Sequence, residues 1–217
     1  MLPAINLRTR STFSLLGSAL TPSEIASLTH HHEQPAVALI DRQTLAGTYA
    51  FAKASRKLGI QGIVGADFAT TTGEVSLIAM NTEGWRNLLA LQALAASSTE
   101  GLINEEAIIE HGEGLALLAG REGSALACLL TSGEADPLAW TRGMLAGFAG
   151  RLFIEIDRTQ SRHASESALD AISRELGLPL VGTSSATLIT PGAATVSLYQ
   201  SRSEELDKSY SRKWCTA

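Results

Sequence analysis

Short apolar, β-prone runs alternate repeatedly with amphipathic stretches along the chain. The predicted strands cover residues 5–9, 36–40, 60–68, 74–80, 115–119, 151–156 and 178–182. Helical patterns follow most of them, as at residues 21–31, 45–58 and 137–148. This order is typical of βα units packed into a parallel sheet or barrel. The sequence therefore predicts an α/β fold with about seven strands.

The size and composition predict one folded domain. The chain has 217 residues, of which 45% are hydrophobic and 18% charged, and this balance favours a large buried core over disorder. No low-complexity linker interrupts the pattern. From Pro191 onward the periodicity decays into Ser, Arg, Glu and Lys. We predict a domain over residues 1–190 and a peripheral C-terminal extension over residues 191–217.

Charge and cysteine content narrow the function classes. A formal net charge of −5 disfavours a protein that binds nucleic acid directly over a broad surface. Cys128 and Cys215 are not spaced like zinc ligands, and two cysteines cannot make a disulfide framework. The sequence carries neither a signal-peptide pattern nor a run long enough to span a bilayer. A cytoplasmic protein without a membrane partner is predicted.

Ligands in a parallel barrel bind at the carboxyl ends of its strands, so the residues that follow the predicted strands are the candidate site residues. Strand ends carry Ser11, Asp157, Thr183 and Ser184, and the candidate site residues among the charged and hydroxyl-bearing side chains there are Arg8, Arg10, Asp41, Arg42, Asp67, Glu155, Ser185 and Thr187. We predict that they share one pocket. The set is unusual, since it has three arginines and lacks histidine.

Several of these runs together resemble one known family, the polymerase and histidinol phosphatase (PHP) domain. The matching segments are NLRTRSTFSLL at 6–16, AVALIDR at 36–42, GIQGIVGADF at 59–68, RLFIEI at 151–156 and GLPLVGTSS at 177–185. Their order and spacing resemble the form of the domain at the N-terminus of the bacterial DNA polymerase III alpha subunit. The resemblance covers residues 5–189 and implies a distorted, TIM-barrel-like (βα)7 barrel.

The resemblance also indicates what this chain lacks. Catalytic PHP domains hold two or three divalent metals with His, Asp and Glu, and the metals activate water for phosphoester hydrolysis. Here Arg8 and Arg10 occupy the His-x-His positions and Arg42 replaces the histidine of the second motif. Asp67 replaces a glutamate, and Ser185 and Thr187 stand at the final Asp-x-His. Because arginine has no lone pair to donate, no metal, no cofactor and no catalytic residue is predicted.

Two uses of the arginines are open at this stage. In the first, the guanidinium groups replace metal cations and pair with Asp41, Asp67 and Glu155, which leaves a vestigial and internally neutralised pocket. In the second, Arg8, Arg10 and Arg42 bind a phosphate or another anion.

Three functions follow from these interpretations. The leading one is a catalytically degenerate PHP domain that acts in DNA replication as a structural or protein-docking module, with a proofreading exonuclease subunit or the polymerase body as partner. The first alternative is a metal-dependent phosphoesterase or 3′-5′ nuclease with an altered ligand set, which would need Mn²⁺ or Zn²⁺. The second alternative is an anion-binding domain that uses the arginines.

Overall fold

Seven strands form one sheet, hydrogen-bonded in chain order from the first to the last. The computed structural model describes residues 5–15, 17–157 and 165–184. The strands are β1 (Asn6–Thr9), β2 (Ala36–Arg42), β3 (Gln61–Ala69), β4 (Glu74–Ala79), β5 (Leu115–Ala119), β6 (Leu152–Asp157) and β7 (Leu180–Thr183). The seven strands predicted from the sequence are confirmed, with ends displaced by at most two residues. The predicted extension over residues 191–217 lies outside the described residues.

Helices surround the sheet. They are α1 (Pro22–His31), α2 (Thr48–Leu58), α3 (Thr82–Ser97), α4 (Glu105–Glu110), α5 (Ala125–Ser132), α6 (Pro137–Phe148) and α7 (Glu166–Leu176). Local sequence explains several of their ends. At α1, Thr21 and Glu24 form a capping box and Pro22 occupies the first turn. Gly59 and Gly177 end α2 and α7 in the left-handed conformation that glycine adopts without strain.

The sheet curls until β1 lies against β7, which gives a nearly closed barrel. Successive side chains along a strand face opposite sides of the sheet, so apolar clusters form both inside the barrel and outside it. Ala38, Ile40, Ile78, Ala116 and Leu118 pack inside the barrel. A larger core fills the space between the sheet and the outer helices, and the β2 residues Val37 and Leu39 belong to a third cluster with α1 and α2. The predicted α/β barrel is confirmed.

One strand departs from the expected pattern of successive βα units. β4 runs antiparallel to both β3 and β5, whereas the other neighbouring strands pair in parallel. Only residues 70–73 separate β3 from β4. A connection of that length makes a hairpin, because a parallel crossover needs a dozen or more residues. The reversal brings the beginning of β4, rather than its end, to the mouth of the barrel.

No helix in the described ranges is both long enough and apolar enough to cross a bilayer.

Candidate functional site: an arginine pocket at the barrel mouth

Charged side chains collect inside one end of the barrel. The alternation that buries Ile40 and Ile78 inside also directs Arg42, Ser76 and Glu74 inward. We call the inward-facing group the arginine pocket. Its members are Arg8, Arg10, Arg42, Asp67, Glu74, Ser76, Arg121, Glu155 and Thr183.

An irregularity in β1 places the deepest arginine. The register of β1 against β2 shifts between Asn6, which lies opposite Val37, and Thr9, which lies opposite Leu39. One strand thus uses three steps where its partner uses two, as at a β-bulge. Leu7 packs on the core inside the barrel, and the next side chain, Arg8, is also buried there. The irregularity allows two successive residues to face inward.

Arg8 lies at the base of the pocket and its guanidinium is held on every edge. Its Nε and Nη2 donate to the two carboxylate oxygens of Glu155 at 2.5 and 2.7 Å. Nη2 also donates to Ser76 Oγ at 2.8 Å, and Nη1 donates to Asp67 at 3.2 Å. Glu155 accepts a further hydrogen bond from Thr183 at 2.7 Å. A two-pronged arginine–carboxylate contact of this kind is among the stronger polar interactions in proteins.

Asp67 is the residue on which the pocket converges. Its carboxylate accepts from Arg8, from Arg10 Nη2 at 2.8 Å, from Arg121 Nη2 at 3.0 Å and from Ser76 at 2.5 Å. Burial opposes ionisation, but the three guanidinium charges and the Ser76 hydroxyl outweigh it, so the pKa of Asp67 is held well below its usual range. Asp67 is therefore a buried carboxylate that is ionised at neutral pH.

Glu74 gathers the arginines at the mouth. Its carboxylate lies 2.8 Å from Arg42 Nε and 3.7 Å from Arg10 Nη2, and it also accepts from Arg121. The side chains here are partly exposed, at 32% for Arg42, 15% for Arg10, 12% for Arg121 and 18% for Glu74. Glu74 and Asp67 thus form a bridge between the buried base and the solvent.

Burial and neighbouring charge act differently on two of the mouth arginines. Burial lowers the pKa of Arg121, but Asp67, Glu74 and Glu155 outweigh it and the pKa lies above its usual value. The pKa of Arg10 is lowered by burial, and the charges of Arg121 and Arg42 add to that effect against the attraction of the carboxylates. Arg10 is the less well compensated cation.

Asp41 lies apart from the arginine pocket. It accepts from Ser11 N–H and Oγ, both at 2.7 Å, and from Ser14 Oγ at 2.6 Å, all in the loop that follows β1. The prediction that Asp41 shares the pocket and pairs with its arginines is wrong. Since Arg42 faces into the barrel, the preceding residue on the same strand must face out.

The structure brings together most of the other residues predicted from the sequence. The pocket contains Arg8, Arg10, Arg42, Asp67 and Glu155, whereas Ser185 and Thr187 lie outside the described residues. Sequence reasoning missed Glu74, Ser76 and Arg121. The short connection before β4 was the signal for the first two, because a hairpin brings the start of β4 beside the end of β3. Arg121 comes directly after β5 and Gly120, so its place at a strand end was the signal for it.

Within the described part of the chain, no group of three or more His, Cys, Asp and Glu side chains is arranged to hold a metal ion. The carboxylates of the pocket face guanidinium groups instead.

Comparison with known structures places the barrel in a recognisable class. A metal-dependent phosphoesterase from Bifidobacterium adolescentis aligns with a TM-score of 0.57 over 84% of this chain and 87% of its own, at 14% identity. An amidohydrolase from Chromobacterium violaceum, described with bound sulfate and no metal, aligns with a TM-score of 0.50 over 87% of this chain and 88% of its own, also at 14% identity. At this identity the likeness establishes the fold: a barrel of the type found in metal-dependent phosphoesterases and amidohydrolases.

Sequence comparison then gives the family. The PHP domain model matches residues 6–159, so the chain belongs to the PHP domain family. The DNA polymerase III subunit alpha of Rickettsia bellii is 33% identical over 191 residues, which cover 82% of this chain and 16% of that protein. That of Pseudomonas aeruginosa is 32% identical over 201 residues, covering 85% and 17%. This chain therefore spans about a sixth of the length of these relatives and is homologous to part of them.

Proposed function

We propose that this chain is a metal-free, catalytically degenerate PHP domain that serves as a structural and protein-docking module in DNA replication. The observation that carries the proposal is the arginine pocket. Arg8 and Arg10 donate to the carboxylates of Asp67 and Glu155 inside the barrel, where catalytic members of the family hold metal. The relation to DNA polymerase III subunit alpha supports a role in replication.

The donor set of the pocket does not fit a multinuclear metal centre. Guanidinium groups carry no lone pair and stay protonated, so Arg8, Arg10, Arg42 and Arg121 cannot be ligands. Asp67, Glu74 and Glu155 already accept hydrogen bonds from Arg10, Arg121 and Arg8 respectively. A divalent cation would have to displace those contacts and lie against several positive charges. No catalytic step through a metal is derived for this chain.

The phosphoesterase alternative depends on the same donors. Its chemistry requires a metal to activate water and to neutralise the phosphoester. An altered ligand set would have to be assembled from carboxylates alone, and in the described residues these are held by guanidiniums or, for Asp41, by two serines. This arrangement favours the structural role over hydrolysis.

Exposed apolar side chains support the docking role. Phe13, Leu15 and Tyr49 are 44%, 87% and 78% exposed. The Phe13 ring lies beside Gly47, which immediately precedes α2 and is two residues before Tyr49, and Leu15 is two residues after Phe13. Aromatic and large aliphatic side chains gathered on a surface are typical of protein interfaces. We infer that this surface binds a proofreading exonuclease subunit.

Metal analysis tests the first half of the proposal. The chain is incubated with Mn²⁺ or Zn²⁺, dialysed exhaustively and analysed for bound metal, beside Arg42→Ala at the pocket mouth and Arg86→Ala as an exposed arginine control on α3. We expect no metal at a stoichiometric level in any of the three. Metal retained near one equivalent or more by the unmodified chain would move the phosphoesterase alternative to first place.

Binding to a partner tests the second half. Association with the proofreading exonuclease subunit of the same organism is measured by titration calorimetry. Leu15→Ser is compared with Leu94→Ser, which removes an exposed leucine on α3 away from this surface. We expect Leu15→Ser to weaken association about tenfold and the control to leave it unchanged. Equal affinities for the two variants would contradict the assignment of the surface, and no association with the unmodified chain would contradict the docking role.

A further inference from the structure

The arginine pocket has two layers with different capacity for a ligand. In the base layer, Arg8 directs Nε, Nη1 and Nη2 to Glu155, Asp67 and Ser76, and its side chain is only 2% exposed. Each nitrogen of the Arg8 guanidinium thus already donates to a side chain of the pocket. Of the three arginines predicted from the sequence to bind an anion, Arg8 is therefore part of the framework. Any ligand must be held by the mouth layer.

Within the described residues, the mouth layer of the pocket has more guanidinium groups than carboxylates. Arg10 and Arg121 both contact Asp67 and Glu74, and Asp67 is also contacted by Arg8. Across both layers, four guanidinium groups face three carboxylates, those of Asp67, Glu74 and Glu155. Among the described members of the pocket, guanidinium groups therefore outnumber carboxylates by one.

Donors also remain at the mouth. Within the described chain, Arg10 reaches its carboxylates through Nη2 alone, which leaves its other nitrogens for a ligand. Arg121 Nε is buried and has no hydrogen-bond partner among the described residues, although its terminal nitrogens are engaged. A buried N–H without an acceptor is costly, so an incoming anion would be stabilised by satisfying it.

The electrostatics of Arg10 agree with this reading. Burial and the charges of Arg121 and Arg42 lower the pKa of Arg10 even though Asp67 and Glu74 attract it. A further negative charge beside Arg10 would offset the repulsion among the three cations.

The geometry points to a binding site for a tetrahedral oxyanion at the barrel mouth, held by Arg10 and Arg121, with Arg42 contributing positive charge. The ligand is a phosphate or sulfate group, either free or at the end of a larger molecule. Guanidinium groups recognise such oxyanions with paired N–H donors. This inference rests on the proposed function, because it takes the pocket to be free of metal.

Phosphate binding is measured by titration calorimetry and ³¹P line broadening in the presence of a chelator, with chloride at equal ionic strength as the reference. Inorganic phosphate and a nucleoside 5′-monophosphate are titrated separately. Arg10→Gln removes a mouth donor, and Arg42→Gln changes the most exposed arginine of the pocket and provides a second variant. Arg86→Gln, at an exposed arginine on α3, is the matched control.

We expect saturable binding of phosphate, a loss of about tenfold in affinity for Arg10→Gln, a smaller loss for Arg42→Gln and no change for Arg86→Gln. Tighter binding of the nucleotide than of inorganic phosphate would support the site and identify a terminal phosphate as its ligand, whereas the reverse would support it with free phosphate as the ligand. No saturation by either ligand, or equal affinities for Arg10→Gln and Arg86→Gln, would overturn the inference. Phosphate binding that appears only when Mn²⁺ replaces the chelator would overturn both this inference and the proposed metal-free function. Absence of phosphate binding with the chelator and with Mn²⁺ would overturn this inference alone.

Discussion

Two aspartates at the ends of neighbouring strands, Asp41 on β2 and Asp67 on β3, are both almost fully buried and are neutralised in different ways. Asp41 is held by an amide and two hydroxyls of the loop that follows β1. Asp67 is held mainly by three guanidinium groups, which come from Arg8 in β1, from Arg10 just after β1 and from Arg121 after β5. The two aspartates have different partners because the side chain of Asp67 faces into the barrel and that of Asp41 faces away from it.

The two environments have different consequences for the fold. The side chain of Asp41 accepts hydrogen bonds from a single loop, and these bonds order the chain between β1 and α1. The ion pairs of Asp67 connect three separate parts of the barrel, and each charge in them depends on the others. We therefore expect substitutions around Asp67 to have larger and more pH-dependent effects than substitutions around Asp41.

The largest effect is expected for Arg8→Met. This change keeps an unbranched side chain but leaves Glu155 buried without the guanidinium that donates to both of its oxygens, and it removes one of the three guanidinium groups around Asp67. Removing one partner of a buried ion pair costs about 3–5 kcal/mol, and the free energy of unfolding should fall by that amount. Urea unfolding of Arg8→Met beside Arg86→Met, an exposed arginine, measures the difference. A loss below about 1 kcal/mol would mean that the base of the pocket contributes little to stability.

A smaller loss is expected for Asp67→Asn. The amide keeps an acceptor oxygen for one guanidinium, but the charge that attracts Arg8, Arg10 and Arg121 is gone. Hydrogen bonds to charged groups contribute about 1.5–3 kcal/mol, which sets the expected decrease in unfolding free energy at neutral pH. The same variant should bind phosphate more tightly, because a competing carboxylate has been removed. Equal phosphate affinity in the variant and the unmodified chain would argue against ligand binding beside Asp67.

The decrease in unfolding free energy for Asp67→Asn should depend on pH. The pKa of Asp67 in the folded chain lies below its unfolded value of about 3.9, so its stabilising contribution is present above that value and is lost as the pH falls below it. The stability difference between the unmodified chain and Asp67→Asn should be constant from neutral pH to about 5 and shrink below about 4. Urea unfolding across this range measures it. A difference that stays constant below pH 4 would contradict a depressed pKa.

A change at the other aspartate should cost less. Ser14→Ala removes a hydroxyl that donates to Asp41 at 2.6 Å and accepts from the Arg42 N–H at 3.0 Å. Asp41 keeps both contacts from Ser11, so we expect a decrease of about 1–2 kcal/mol in unfolding free energy and no change in phosphate affinity. An altered phosphate affinity would show that the β1–α1 loop and the arginine pocket are coupled, against the separation drawn here.

The same comparison explains how far sequence reasoning could reach. Strand and helix positions were predictable because local signals act over a few residues, as in the capping box of Thr21 and Glu24 and the glycine that ends α2. Alternation along β2 contained the information that Asp41 and Arg42 face opposite sides, and the four residues before β4 contained its reversal. The shift in β1 register that buries Arg8 has no such local signal, because it depends on pairing with β2.

The smallest effect is expected at a surface ion pair with the same geometry as a pocket contact. Arg142 Nη2 lies 2.8 Å from Glu175, and Arg10 Nη2 lies 2.8 Å from Asp67. The first pair is more than half exposed, and water and salt screen it, so Arg142→Ala should change the unfolding free energy by less than about 0.5 kcal/mol. Arg10→Ala should cost clearly more, because Asp67 is fully buried. Urea unfolding of both variants at low and high salt separates the effect of distance from that of burial. Comparable losses in unfolding free energy would mean that water and salt screen the arginine pocket as they screen a surface pair. The contrast between Asp41 and Asp67 would then have another origin.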